Sequence, residues 1–270
     1  MHNKLGPWAL VVLGLGSCQT SFEQAPGQAP LAQFKLPLIQ QPPQPPPAPL
    51  QVDSIRAVAH RLVGRFSFAN RLNLQKPDSL GADRYELDSG QPFRWADSLN
   101  TDGLELIADY QTSLPFRESG ELPARLVYPV YIVNSTPRAK LLCGKDSWTY
   151  AIQEARDRTG QWRPIESKGP ESCGNGEWIL KIRPRQMVVL LVDKYQGSFK
   201  TRLRLRLSNG NSQYVSAAYE GWISETQFLP TQRERRLLAK DKLAVAGLYY
   251  GALPALIDSL DLRERQTPHN

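Results

Sequence analysis

Thr201-Arg-Leu-Arg-Leu-Arg-Leu207 alternates basic and apolar residues without a break. A period of two puts successive side chains on opposite faces of a strand, so the leucines should line a core and the arginines face outward. Asn209-Gly-Asn211 follows as a hairpin signal, because Gly and Asn tolerate the positive φ of tight hairpin turns. Gln213-Tyr-Val-Ser216 and Gly221-Trp-Ile223 then read as return strands. Upstream, Met187-Val-Val-Leu-Leu-Val192 is a continuous apolar run, expected to be a strand buried on both faces. Leu126-Val-Tyr-Pro-Val-Tyr-Ile-Val133 is rich in β-formers. Ala139 to Cys143, Tyr150 to Glu154, Trp162 to Ile165 and Trp178 to Ile182 are shorter candidates. About seven to nine short strands with turn signals between them predict an immunoglobulin-like antiparallel β-sandwich over residues 125–229.

The flanks read differently. Residues 52–124 predict an irregular α/β N-terminal region. Asp53-Ser54 can cap a helix carrying Ile55, Val58, Leu62, Val63 and Phe66, and Leu104 to Tyr110 is a strand candidate after a loop-like Asp97 to Gly103. Residues 230–270 predict a C-terminal helical segment. Thr231 is its cap, and the helix from Gln232 runs through Leu243 to Leu253 until Pro254 kinks or restarts it. Gly247 and Gly251 stand one turn apart, which would let another backbone approach closely. Leu243, Gly247, Tyr250 and Gly251 are therefore candidate docking-helix residues for a partner or a membrane surface. The alternative is a helix packed on its own sandwich. The apolar stretch Leu243 to Ile257 is about 15 residues, below the roughly 20 that a membrane span needs.

At the N-terminus, Lys4 precedes an apolar core that ends in Val11-Val-Leu-Gly-Leu-Gly-Ser-Cys18. This is the layout of a secretory signal, and Leu15-Gly-Ser-Cys18 resembles the lipobox of bacterial lipoproteins. The resemblance implies that residues 1–17 are a signal peptide cleaved before Cys18. It also implies that Cys18 is the lipidation site and that the mature chain is tethered to the outer membrane. Two or three acyl chains hold where one does not. The alternatives are an ordinary secretory signal with an incidental cysteine, or a transmembrane anchor, for which Trp8 to Leu15 is short. Signals that send bacterial lipoproteins to the cell surface can be acidic just after the cysteine. Gln19-Thr-Ser-Phe-Glu-Gln24 offers one Glu, which favours the periplasmic face. Residues 18–51 are rich in Pro and Gln, with Gln40-Gln-Pro-Pro-Gln-Pro-Pro-Pro-Ala-Pro49 at their centre. Such a segment favours extended polyproline II and reads as a tether.

The chain has 270 residues, 41% of them hydrophobic, which is enough for a real core. Its net charge of +7 raises the odds of an anionic partner such as a lipid headgroup, an envelope polysaccharide or nucleic acid, while most of the charge reads as a solvated surface. No nucleic-acid recognition signature accompanies the charge, so no nucleic acid is expected. Cys143 and Cys173 are most economically a disulfide in an oxidising compartment. It would close a loop of about 30 residues, worth on the order of 3–4 kcal/mol. Two separate buried thiols are the competing reading. No metal site is expected, since the histidines are only His2, His60 and His269.

Catalytic signatures are missing from the sequence. No Gly-rich phosphate loop follows a strand, and no G-x-S-x-G, H-E-x-x-H or S-x-x-K set appears. A Ser–His dyad would have to use His60, and carboxylate pairs such as Glu118/Glu121 and Glu154/Asp157 are ordinary for this length. The expectation is a non-enzyme with no cofactor. Aromatics are better candidates for binding. Trp148, Trp162, Trp178, Trp222, Tyr195, Tyr214 and Tyr219 fall in the β region and could stack on sugar rings if exposed in a row; most should be core. Four Asp-Ser-Leu/Ile triplets, at Ser54, Ser79, Ser98 and Ser259, resemble O-glycosylation acceptors of Bacteroidota. Asn134-Ser-Thr136 matches an N-glycosylation acceptor.

Several stretches together resemble exported proteins of Bacteroidota that carry no assigned activity. These are Tyr128 to Thr136, Ile152-Gln-Glu-Ala155, Trp162-Arg-Pro-Ile-Glu166, Cys173-Gly-Asn-Gly176, Lys194-Tyr-Gln-Gly197, Thr201 to Arg204 and Gln227-Phe228. The resemblance implies an exported β protein and transfers no site. Two functions are therefore expected. One is a structural or adaptor lipoprotein that binds an envelope protein partner. The other is a glycan- or polymer-binding module of the envelope.

Overall fold

In a computed structural model of the protein, residues 33–41, 45–86, 100–117, 123–169, 176–241 and 247–254 are described. The strands are β1 (Leu38–Ile39), β2 (Arg56–Val58), β3 (Arg61–Ser67), β4 (Arg71–Leu72), β5 (Arg84–Glu86), β6 (Glu105–Ala108) and β7 (Leu114–Phe116). They continue with β8 (Arg125–Asn134), β9 (Lys140–Lys145), β10 (Trp148–Thr149), β11 (Ala151–Arg156), β12 (Trp162–Pro164) and β13 (Glu166–Lys168). The last are β14 (Glu177–Ile182), β15 (Gln186–Asp193), β16 (Phe199–Asn209), β17 (Ser212–Val215) and β18 (Tyr219–Ile223). Among the described residues α1 (Gln232–Lys240) follows, and Gly247 and Leu248 are also helical.

The chain is mainly β. A nine-stranded sheet runs β5-β14-β9-β10-β3-β15-β8-β6, with β7 also on β8. A five-stranded sheet runs β12-β11-β16-β17, with β18 also on β16. All pairings within these two sheets are antiparallel. The two share one core. Tyr128, Val130, Ile132, Val188, Leu190 and Val192 of the larger sheet pack with Ala151, Leu205 and Leu207 of the smaller one. The burial of β16 follows its sequence, with Leu203, Leu205 and Leu207 inside and Arg202 exposed. The β15 run is buried throughout from Met187 to Val192. The turn at Asn209-Gly210 joins β16 to β17, with Gly210 at φ +56°.

The region before residue 125 is not a separate layer. The helix expected on Ile55, Val58, Leu62, Val63 and Phe66 is instead β2 and β3, and β3 lies in the middle of the large sheet between β10 and β15. The register of β3 against β15 shifts between Val189 and Leu190, opposite Gly64. That bulge disguises the period of two. Gly64 has φ +155°, and a Cβ there would lie 2.5 Å from Pro77 Cβ. All the described residues fall in one compact unit, Leu31–Asn270. Part of the segment read as tether also belongs to the fold. Phe34 packs on Phe68 and Tyr131, β1 pairs with β4, and Leu50 bridges to Tyr195. The apolar residues Phe34, Ile39, Leu50 and Val52 find partners in the sheets, and their burial outweighs the extended preference of the prolines around them.

The C-terminal helix is shorter than expected. Thr231 caps α1 in a reciprocal box, receiving Glu234 N–H at 3.3 Å while its own N–H reaches Glu234 Oε2 at 2.7 Å. α1 ends at Lys240. Beyond it Tyr250 (φ +47°) and Gly251 (φ +84°) are left-handed, a conformation that ends a helix. Gly247 and Gly251 therefore do not form one helical face, and a Cβ at either would meet nothing within 4 Å. Leu243 lies outside the described residues. Leu238, Tyr249 and Ala252 pack on Ile55, Val58 and Ile152, so this segment covers its own sheet. Thr231→Ala should lower the unfolding free energy by about 1 kcal/mol through loss of the cap. A urea midpoint unchanged from wild type would show that packing of Leu238 alone holds α1.

Candidate functional site

The densest polar chemistry lies inside, between the sheets. Glu166 opens β13 and is fully buried. Its Oε2 accepts from His60 Nε2 at 2.7 Å and from Gln153 N–H at 2.7 Å. Its Oε1 accepts from Gln153 Nε2 at 2.7 Å and from the Tyr195 hydroxyl at 2.6 Å. Gln153 in turn donates to Asp193 O at 2.9 Å and accepts from the Tyr128 hydroxyl at 2.9 Å. Tyr128 contacts the Tyr219 hydroxyl, and Tyr110 stacks on the Tyr219 ring at 4.6 Å. Asp193, also buried, is paired by Arg56 and by Arg125 Nε at 2.5 Å.

These groups come from β2, β8, β11, β13, β15 and β18 and from the segments after β2 (His60), β6 (Tyr110) and β15 (Tyr195), so the network ties the two sheets together. Burial pushes the Glu166 carboxyl up. The His60 ring, the Tyr195 hydroxyl and the Gln153 N–H outweigh it and hold the carboxyl below the ordinary glutamate range. Burial raises the Tyr128 and Tyr195 hydroxyls well above the ordinary tyrosine value, so both remain neutral donors. His60 and Glu166 are only 2% and 0% exposed. The enclosed pair joins the two sheets as a latch.

A second constellation is partly open to solvent. On the face of β16 opposite the leucines, Arg204 Nε and Arg206 Nε hold the two oxygens of Glu154 at 2.6 and 3.1 Å. The Arg204 guanidinium lies 4.1 Å from the Trp162 ring centre, and that of Arg156 lies 5.1 Å from it. Arg156, Lys200, Arg202 and Trp222 are exposed, Trp222 at 49%. The arginines of β16 thus face outward as expected, but two of them are clamped.

No family model matches the chain, and neither a curated protein nor a solved structure matches it.

The residues singled out from sequence divide as follows. Trp148, Trp178 and Tyr195 are buried, Tyr214 and Tyr219 are half-buried, and Trp162 and Trp222 reach the open face. Glu154 is neutralised by two arginines, and Asp157 accepts from Arg163 Nε at 3.2 Å and from the Thr159 hydroxyl at 2.6 Å. Glu118 and Glu121 lie outside the described residues. Cys143 is buried on β9, while Cys173 and Cys18 lie outside the described residues. The Asn134 side-chain amide donates to Arg138 O at 2.7 Å and Ile182 O at 2.8 Å. It is fully buried and serves a turn rather than a glycan. Ser79 is exposed and Ser54 half-buried, and Ser98 and Ser259 lie outside the described residues.

Among the described residues no three His, Cys, Asp or Glu side chains are grouped to hold a metal. No described helix is long and apolar enough to cross a membrane. The Glu166 network escaped sequence reading. The usable signals were Gln153 at an inward position of the alternation Ala151, Gln153, Ala155, and a glutamate at 154 facing two arginines spaced by two.

Proposed function

We propose that the chain is a lipid-tethered envelope protein that acts by binding rather than by catalysis. Its anchor is Cys18, its place the outer membrane with the periplasmic side favoured, and its scaffold a sandwich of immunoglobulin-like kind. The function best supported is a module that binds an envelope glycan or similar polymer. One observation carries this reading: Trp222 and the Trp162–Arg156 pair stand on the solvent face of a rigid antiparallel sheet. Aromatic rings on such a face can stack on sugar rings, and a sheet fixed by a buried latch loses little freedom on binding. Support for a docking helix is reduced by the early end of α1 and the burial of Tyr249. An adaptor role in an outer-membrane protein assembly draws instead on exposed Leu229, Leu237 and Leu253. It is the second reading.

Full-length protein made with labelled palmitate tests the anchor and the function together. Label is expected in wild type and lost in Cys18→Ala. Co-sedimentation with purified envelope polysaccharide should be equal for both. An unlabelled wild type would overturn the tether. A stoichiometric protein cross-linked in membranes, without polymer binding, would overturn the polymer reading in favour of the adaptor. The proposed Cys143–Cys173 disulfide predicts an oxidised chain that takes up no thiol reagent at either position until reduced; labelling of both under denaturing, non-reducing conditions would refute it.

A further inference from the structure

Antiparallel register arranges the open face in rows. Arg156 on β11 lies opposite Trp162 on β12. Ala155 lies opposite Leu203, so the next step of that ladder sets Arg156 beside Arg202. Arg202 lies opposite Glu220 on β18, and Lys200 opposite Trp222. Five cations, Arg156, Lys200, Arg202, Arg204 and Arg206, thus share this face with the carboxylates of Glu154 and Glu220. Glu154 is held by Arg204 and Arg206, and Glu220 is paired with Lys200 at 3.0 Å. Arg156 and Arg202 are left adjacent, exposed, and with no ion-pair partner recorded among the described residues.

Like charges side by side on neighbouring strands repel. An anion seated between them removes the repulsion and can accept paired N–H bonds from each guanidinium. Arg156 is placed for this by the Trp162 ring, since stacking leaves the edge donors of a guanidinium facing outward. Trp222, on the same face beside Lys200, offers a ring for a flat apolar partner. A ligand that brings regularly spaced carboxylates together with sugar rings fits both features. A phosphate headgroup would use only the arginines.

We propose that this face binds an acidic polysaccharide, with carboxylates on the Arg156–Arg202 pair and a sugar ring on Trp222. The inference rests on the polymer-binding reading above and narrows it to a charge class and a set of residues.

The test uses full-length protein, with polygalacturonate as the acidic probe and dextran as the neutral one. Polygalacturonate should bind and dextran should not. Binding should weaken about tenfold or more in the double variant Arg156→Glu/Arg202→Glu, as expected for loss of charge-assisted contacts. It should weaken further on adding Trp222→Ala, and should fall with salt. Lys76→Glu, an exposed charge change elsewhere, should bind as wild type. Unchanged melting temperatures will show that the variants fold. Equal binding of both polymers, or full binding by the double variant, would overturn the acidic assignment and leave the polymer reading standing. Binding of neither polymer would overturn both. Cys18→Ser protein that prefers phosphatidylglycerol vesicles to polygalacturonate would reassign the face to lipid.

Discussion

Glu166→Ala is expected to lower the unfolding free energy by about 3–5 kcal/mol, the cost of removing one partner from a buried charged network. The substitution strands His60, the Gln153 amide and the Tyr195 hydroxyl, each of which spends a hydrogen bond on the carboxylate. Glu166→Gln should cost less, because it keeps an acceptor oxygen. Adding His60→Ala to Glu166→Ala should cost less than His60→Ala alone, since contacting residues couple. The measure is the urea midpoint at constant slope. A loss below about 1 kcal/mol, the worth of a single ordinary hydrogen bond, would show that the network does not hold the sheets together.

The same carboxyl gives a pH dependence of known sign. Its folded value lies below the ordinary 4.5. A depressed carboxyl adds stability that is fully present above its unfolded value and is lost as pH falls through the folded one. The wild-type midpoint should therefore drop as pH is lowered below about 4.5, and by more than that of Glu166→Gln.

Trp178→Ala should cost a further large amount, about 3–5 kcal/mol, as expected for truncating a fully buried tryptophan. Trp178 packs in the main core, donates Nε1–H to Asp146 O at 3.0 Å and carries the Arg84 guanidinium 5.1 Å from its ring centre. Its ring lies against Gly144 of the neighbouring strand. A Cβ at Gly144 would come within 2.6 Å of the Trp148 carbonyl oxygen and closer still to Trp178 Cζ2 and Cη2. Gly144→Ala should thus cost about 1–3 kcal/mol by overpacking. That cost should shrink in a Trp178→Leu background. A cost that stays the same would place the limit at the Trp148 carbonyl.

Much of the β architecture was legible because its strands keep their periods. β16 alternates, β15 is apolar throughout, and β8 is dense in β-formers, so each was placed to within a residue or two. β3 was misread because the bulge opposite Gly64 adds one residue to the alternation. Leu62, Val63 and Phe66 then fall at spacings a helix would also give. α1 was overextended because Asp241 takes an extended conformation and ends it, although no Gly or Pro near Asp241 marks the stop. The proline-rich segment was read by composition, which hides the few apolar residues that dock. The open face was half legible. The outward arginines followed from alternation, but their rows with Trp162 and Trp222 depend on register, which the sequence does not specify. The latch left only Gln153 among inward-facing residues as a trace, because His60 and Glu166 stand 106 positions apart.

That separation bears on how the chain reaches its native state. β3 occupies the middle of the large sheet, yet its long partner β15 is made more than a hundred residues later. A chain that emerges from its N-terminus first must carry β3 without its long partner until residue 193 is out. Pairings of such high sequence separation form slowly and leave strand edges open to other chains meanwhile. The large sheet can therefore be completed only after β15 has been made.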